Sequence, residues 1–591
     1  MDNPASSDLG SLPQWNLGDL YESPKAPGID SDLDRAAAES KDLAKRFQGK
    51  LAGLDGEALA EAVKAYEALQ DVLGKVGSYA QLVYAGNMSD PENGRFYQTI
   101  QERITDISAE TIFFTLEINR IEDKALEEKL KTPALAYYRP WFEAVRSFRP
   151  HQLSDEAERL LHDKSVVGRA AWNRLFDESI AAMRLPLDGK EMTVDQVLNL
   201  LTNRDGAKRK AAAKAIGAGL GAHAATSALI TNTLAKDKEI EDRWRGFARP
   251  VSSRNLANQV EDEVVDALVP AVTAAYPRLA HRYYEIKAGW FGSDHLDYWD
   301  RNAPLPEDSD RKIPWEEAKE IVLGAYAAFS PELAAVGKRF FDQGWIDAPA
   351  RPGKAPGAFA HPVTPSAHPY ILLNYYGRTR DVMTLAHELG HGVHQVLAGP
   401  QGALLADTPL TLAETASVFG EMLTFRALLA REKDPKRRRI LIAGKVEDML
   451  NTVVRQIAFH QFETKLHDQR RKSELPAEEI GEIWLETQKA SLGPALRFDE
   501  DYNIFWSYIP HFIHSPFYVY AYAFGDCLVN SLYAAYQAQP KGFAKKYLDM
   551  LAAGGSKRHK QLLAPFGLDA ADPKFWDRGL KMIEGLIDEL A

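Results

Sequence analysis

The sequence predicts a mainly α fold with one small β-sheet set beside a helix that carries His387-Glu388-Leu389-Gly390-His391. Three observations predict it. Long stretches repeat apolar residues at three- and four-residue spacing. Proline and glycine clusters punctuate them. One segment alone, residues 357–376, changes to a short aromatic and β-branched texture.

The chain has 591 residues, of which 45% are apolar and 26% charged, the balance of an ordinary globular protein with a large core. Its net charge of −12 argues against a nucleic-acid partner, whose phosphates call for a basic face. The basic run at 436–439 follows Asp434-Pro435 and reads as a solvated helix face. Cys527 is the single cysteine, so the chain can form no internal disulfide, which fits a reducing compartment. It lies in an apolar run and reads as core. The first ten residues lack a basic n-region and an apolar h-region, and no stretch of about 18 apolar residues appears. No membrane association and a cytoplasmic location are expected. The oligomeric state is left open.

Residues 1–30, rich in Pro, Gly, Ser and Asp, are expected to be irregular. Helical patterning then covers 32–50, 56–90, 94–132, 153–165, 205–243 and 315–342. A division near residue 200 separates an N-terminal helical lobe, 1–200, from a catalytic region, 201–591. Within 357–376, two strands are expected. Helices resume at 381, with Asp381 as a cap for a helix starting at Val382.

On that helix His387 and His391 stand one turn apart on one face, so both imidazoles can reach a single zinc ion. Glu388 lies at the edge of the same face, where its carboxylate can act as general base on a metal-bound water without taking a coordination position. The alternative is a pair of surface histidines. Leu385, Ala386, Leu389, Gly390, Gly392 and Val393 argue against it, because they make the helix buried and open it to a close backbone neighbour. A catalytic zinc needs a third protein ligand and an open position. Glu414 supplies the ligand, on a helix begun by Thr408-Pro409 that also presents Glu421 on the same face. Thr411 and Glu414 also fit a capping box. Glu421 is placed either behind a ligand histidine or facing solvent.

Three runs carry a family resemblance. They are Pro369-Tyr-Ile-Leu-Leu-Asn-Tyr375, Asp381-Val-Met-Thr-Leu-Ala-His-Glu-Leu-Gly-His391, and Ala413-Glu-Thr-Ala-Ser-Val-Phe-Gly-Glu421. Together with Ile509-Pro-His-Phe-Ile-His-Ser-Pro-Phe-Tyr-Val-Tyr-Ala-Tyr-Ala-Phe-Gly525, they resemble the oligoendopeptidase F branch of the thimet oligopeptidase (M3) family. Trp345, before the Pro/Gly segment that leads to Gly357, adds to the likeness, which is strongest over 340–530. The resemblance implies a bilobed helical zincin with a deep substrate channel that cuts internal bonds of short oligopeptides. It implies one Zn2+ per chain on His387, His391 and Glu414, with Glu388 as base. It also implies a histidine and one or two tyrosines near the scissile carbonyl. His511 falls in the family-like Pro-His-Phe context. A helix begun at Ser515-Pro516 puts Tyr518 and Tyr522 on one face and Tyr520 elsewhere, and the choice among the three stays open. His514 reads as structural, and His361 and His368 as structural or subsite residues. The substrate backbone is expected to pair along the strand near 368–375. Two other functions remain in view. One is a metallocarboxypeptidase or dipeptidyl carboxypeptidase, which needs a group to grip the substrate carboxylate. The other is a helical peptide-binding protein without catalysis.

Overall fold

The computed structural model describes residues 9–165, 167–305, 312–355 and 357–591. Helix accounts for 71% of the chain and strand for 4%, so the fold is mainly α with small sheets. The first eight residues of the N-terminal segment and parts of the Pro-rich breaks at 304–306 and 352–357 lie outside the described residues.

The chain folds into two compact units. One comprises residues 1–149, 310–430 and 535–567; the other comprises 150–309, 431–534 and 568–591. The units interleave along the chain, and position 200 falls inside the second. The physical reason is that helices distant in sequence close one core. For example, residues 183–235 share a hydrophobic cluster with residues 459–519.

Local chemistry explains where the predicted helical stretches break. Residues 315–342 form two helices, Trp315–Phe329 and Pro331–Asp342. Between them Ser330 accepts the Leu333 N–H on its side chain and Pro331 occupies the first turn. The stretch 94–132 is divided among three successive helices, Pro91–Ala109, Phe113–Arg120 and Asp123–Lys129, with short breaks between them.

Seven short strands occur among the described residues. In the second unit β1 (Leu185–Leu187) pairs with β2 (Lys190–Met192), and β3 (Leu296–Asp297) pairs with β7 (Leu496–Arg497). The first unit holds a three-stranded sheet of β4 (Ile346–Pro349), β6 (Tyr370–Tyr375) and β5 (Phe359–His361), in the spatial order β4-β6-β5. The two expected strands are β5 and β6. The third, β4, has the sequence Ile-Asp-Ala-Pro, too short and too rich in turn formers to announce a strand. Its Asp347 is buried and held by Lys354 at 2.7 Å and Arg351 at 2.6 Å.

The sheet order corrects the expectation of substrate pairing along 368–375. β6 is the central strand and is bonded on both sides, parallel to β4 and antiparallel to β5. The edges are β4 and β5. The chain from Leu9 packs over β4, where the Ala348 N–H bonds the Pro13 carbonyl at 2.9 Å. β5 is therefore the edge left beside the motif helix.

Candidate metal site

The motif helix runs Thr379–Ala398 and buries Leu385, Ala386, Leu389 and Val393. It starts three residues before the expected point. Asp381 lies within its first turn, and its carboxylate accepts the N–H groups of Arg378 and Tyr376, both at 2.9 Å. A carboxylate there satisfies open donors and complements the helix dipole.

Two mid-helix glycines determine how closely the motif helix packs. A Cβ on Gly390 would meet the Ala416 carbonyl oxygen at 2.4 Å and Ser417 Cα at 2.6 Å. Gly390 thus lets the backbone of the helix Leu410–Arg431 come against the motif helix, at a propensity cost of ~1 kcal/mol. A Cβ on Gly392 would meet the Phe340 ring at 2.5 Å. On the other side the Tyr326 hydroxyl donates to the Ala386 carbonyl at 2.7 Å.

That approach delivers Glu414, which lies inside its helix rather than in a capping box with Thr411. Its Oε2 is 3.4 Å from Nε2 of His387 and 3.4 Å from Nε2 of His391. The three ligand atoms form the one group among the described residues that can hold a metal ion. A tetrahedral ion with bonds of about 2.1 Å spans edges of about 3.4 Å, so the donor set fits zinc. Ser417, one turn on, donates its hydroxyl to Glu414 Oε2 at 2.7 Å. His387 turns its other nitrogen, Nδ1, to Glu421 Oε2 at 3.3 Å. Glu421 therefore stands behind a candidate ligand histidine, whose Nε2 faces the other two donors.

The electrostatics follow from crowding charges in a buried place. Burial depresses the His387 imidazole, but Glu421, Glu414 and Glu388 outweigh it and raise the pKa to about 9. Burial raises Glu414, but His391, His387 and Ser417 outweigh that and lower it to about 2. Glu388 is pushed up, chiefly by burial. The Ala360 N–H of β5 acts on it in the opposite direction. The Ala360 carbonyl accepts from Gln395 at 3.3 Å, which ties that edge residue to the motif helix.

Beside His391 the first unit contains a cavity of about 620 Å³, lined by Val363, His368, His394, Gln395 and Asp407 among others. That volume suits a peptide side chain or more. Val363 adopts φ 60°, rare for a β-branched residue, in the loop that forms one wall. His368 stacks on Trp345 at 4.0 Å, and His361 accepts the Val363 N–H on Nδ1; neither belongs to the metal group.

The remaining candidates cluster within the second unit. His511 lies in the helix Pro510–His514, with Nε2 3.4 Å from the Tyr522 hydroxyl. The rings of Tyr518 and Tyr522 are 5.1 Å apart. Tyr520 is buried and its hydroxyl accepts from Asn258 at 2.9 Å. His514 pairs with Asp177 at 2.8 Å. Burial, and after it the charge of Arg455, keeps the His511 pKa below its ordinary value. The expected helix start at Ser515-Pro516 is not found. Phe517 has φ 61°, a left-handed conformation that interrupts the helix, and the next one runs Tyr520–Ala538.

Several side chains absent from the sequence-based candidates hold this segment. Glu463, 1% exposed, accepts the Phe517 N–H at 2.8 Å. Arg254 donates to the Pro516 carbonyl at 3.2 Å, and Arg169 donates to the Ile513 and His514 carbonyls. No spacing announced them, because they come from helices far away in sequence. Ser417 had a signal, a hydroxyl three residues after a candidate ligand. Cys527 is fully buried. Among the described residues no helix is long and apolar enough to cross a membrane.

Oligopeptidase PepF of Bacillus subtilis is 28% identical over 601 residues, covering 99% of this chain and 88% of the relative. An oligoendopeptidase F homolog of Borreliella burgdorferi is 26% identical over 532 residues, covering 89% and 90%. The fold matches the crystal structure of oligoendopeptidase-F from Enterococcus faecium with a TM-score of 0.72 at 22% identity, covering 95% of this chain and 98% of that one. The pattern of Oligopeptidase F matches residues 117–184. That of Peptidase family M3 matches residues 199–582, about two thirds of the chain and the whole of the candidate metal site, and the chain belongs to that family of peptidases.

Proposed function

We propose that the protein is a zinc-dependent endopeptidase of short oligopeptides. The observation that carries the proposal is the triad of donor atoms, with Glu414 Oε2 at 3.4 Å from each histidine Nε2. His387, His391 and Glu414 would hold one Zn2+, which supplies Lewis acidity and makes water a usable nucleophile near neutral pH. Glu388 takes the proton from the attacking water and passes it to the leaving amine. Its burial favours the protonated form, which suits a group that must both accept and return a proton. The peptide passes beside β5, the edge strand joined to the motif helix through Ala360, and its side chains enter the cavity beside His391. His511, Tyr518 and Tyr522 donate hydrogen bonds to the scissile carbonyl oxygen, a role supported by the family pattern around them. One buried cysteine fits a cytoplasmic enzyme.

The test is cleavage of an internally quenched peptide of about eight to ten residues, blocked at both ends, with products mapped by mass spectrometry. Internal cuts that stop with a chelator and return with zinc are expected. Failure to cut any of a varied peptide set while zinc is bound would refute the proposal. Cleavage only of peptides with a free C-terminus would move the assignment to a carboxypeptidase.

A further inference from the structure

Three buried cations of the second unit are paired with carboxylates. Arg209 meets Asp300 at 2.7 Å, Lys238 meets Asp242 at 2.9 Å and Lys287 meets Glu447 at 2.5 Å. Arg301 and Arg455 differ from these three. Among the described residues neither has a carboxylate at ion-pair distance, and Arg301 Nη1 and Arg455 Nε are buried with no hydrogen-bond partner. The Arg301 charge acts repulsively on Arg455. Around them stand tyrosines, Tyr284, Tyr502 and Tyr508, which offer hydroxyls but no negative charge. Glu447, the one carboxylate acting on Arg301, is already engaged by Lys287 and by the Tyr283 hydroxyl at 2.6 Å. Two buried guanidiniums, each with a nitrogen that lacks a hydrogen-bond partner and no carboxylate at ion-pair distance among the described residues, are costly in a folded protein unless an anion completes them.

Their position says which anion. Arg455 sits over the Phe459 ring at 4.8 Å, which fixes its plane, and its side chain reaches Tyr508. It is also close enough to His511 to depress that imidazole. Both arginines, Tyr508 and His511 are partly exposed. We infer that Arg301 and Arg455 form an anion subsite of the second unit that binds a carboxylate of the peptide substrate, next to His511. The inference rests on the proposed peptidase function, in which His511 acts on the substrate carbonyl. A peptide's negative charges are its C-terminal carboxylate and its Asp and Glu side chains, and a planar guanidinium matches either in bidentate geometry.

Three N-acetylated peptides of one sequence separate the possibilities, used with the full zinc-loaded chain. The first has a free C-terminal carboxylate and neutral side chains. The second is amidated and carries one glutamate toward its C-terminal end. The third is amidated and neutral throughout. The subsite predicts that kcat/KM for the first or the second exceeds that of the third by about tenfold or more, mainly through KM. Preference for the first identifies the terminal carboxylate, and preference for the second identifies the side chain. Arg301→Met and Arg455→Met should each bring the ratio close to one, and Arg455→Lys should retain part of it. Equal kcat/KM for all three peptides with the unmodified chain would overturn the inference without reference to any variant. If none is cut, the proposed function fails. Equilibrium binding of the same peptides then decides the subsite separately: tighter binding of a charged peptide upholds it, and equal binding refutes it.

Discussion

Glu421 Oε2 lies 3.3 Å from Nδ1 of His387, while Nε2 of the same ring faces Glu414. One carboxylate thus orients a ring that stands with another in the candidate metal site. A carboxylate behind a ligand histidine fixes its tautomer and raises its basicity. Glu421→Gln should fold normally and bind zinc about 10- to 100-fold more weakly. Competition with a calibrated chelator measures this; unchanged affinity would show that Glu421 has no hold on the ligand.

Glu388 is adjacent to the metal group but outside it. Glu388→Gln should keep zinc and the fold while kcat falls by about 10²- to 10⁴-fold, the usual contribution of a general base. Metal content and steady-state kinetics on one preparation provide the check. Full activity in that variant would remove Glu388 from its role.

Gly390 has no room for a methyl group, since the backbone of Ala416 and Ser417 fills the space. Gly390→Ala should destabilise the protein by about 1–3 kcal/mol, the cost of overpacking. It should also weaken zinc binding, because the helix forced away carries Glu414. Gly399→Ala, whose Cβ would meet nothing within 4 Å, is the control. Equal metal affinity in the two variants would refute the coupling.

Glu463 gives a dependence on pH. Burial, opposed by the Phe517 N–H and by the charges of Arg254 and Lys238, raises its pKa from 4.5 to about 8. Between those values the folded chain holds a proton that the unfolded chain has lost. Its contribution therefore favours folding at low pH and declines by about 1.4 kcal/mol per pH unit up to about 8. Buried His460 and His467, lowered to about 4 and about 3, act in the opposite direction at acid pH. The comparison with Glu463→Gln removes their effect. That variant should gain stability relative to the unmodified chain as pH rises from 5 to 8, read by urea unfolding at each pH. A constant difference would mean that Glu463 is ionised in the folded state.

Much of the site was legible in the sequence because it is local. His387, Glu388 and His391 share one helical turn, and periodicity alone puts them on one face. The helical character of 315–342 and the two strands within 357–376 were equally readable, since both depend on patterns shorter than 20 residues. Gly390 and Gly392 signalled a close neighbour without naming it.

The rest depends on contacts distant along the chain. Sequence could not make β6 the central strand, because β4 is recruited by parallel pairing and covered by the chain from Leu9. It could not start the later helix at Tyr520, because Glu463 bonds the Phe517 N–H from 54 residues away and holds it in a left-handed conformation. It could not single out Arg301 and Arg455, because an unpaired guanidinium is recognised only by what fails to surround it. Short-range spacing was enough to place the candidate metal ligands and to set the helical class. Which carboxylate stands behind a candidate ligand, which strand is left as an edge and which guanidiniums lack a carboxylate among the described residues follow from burial and from the approach of distant segments.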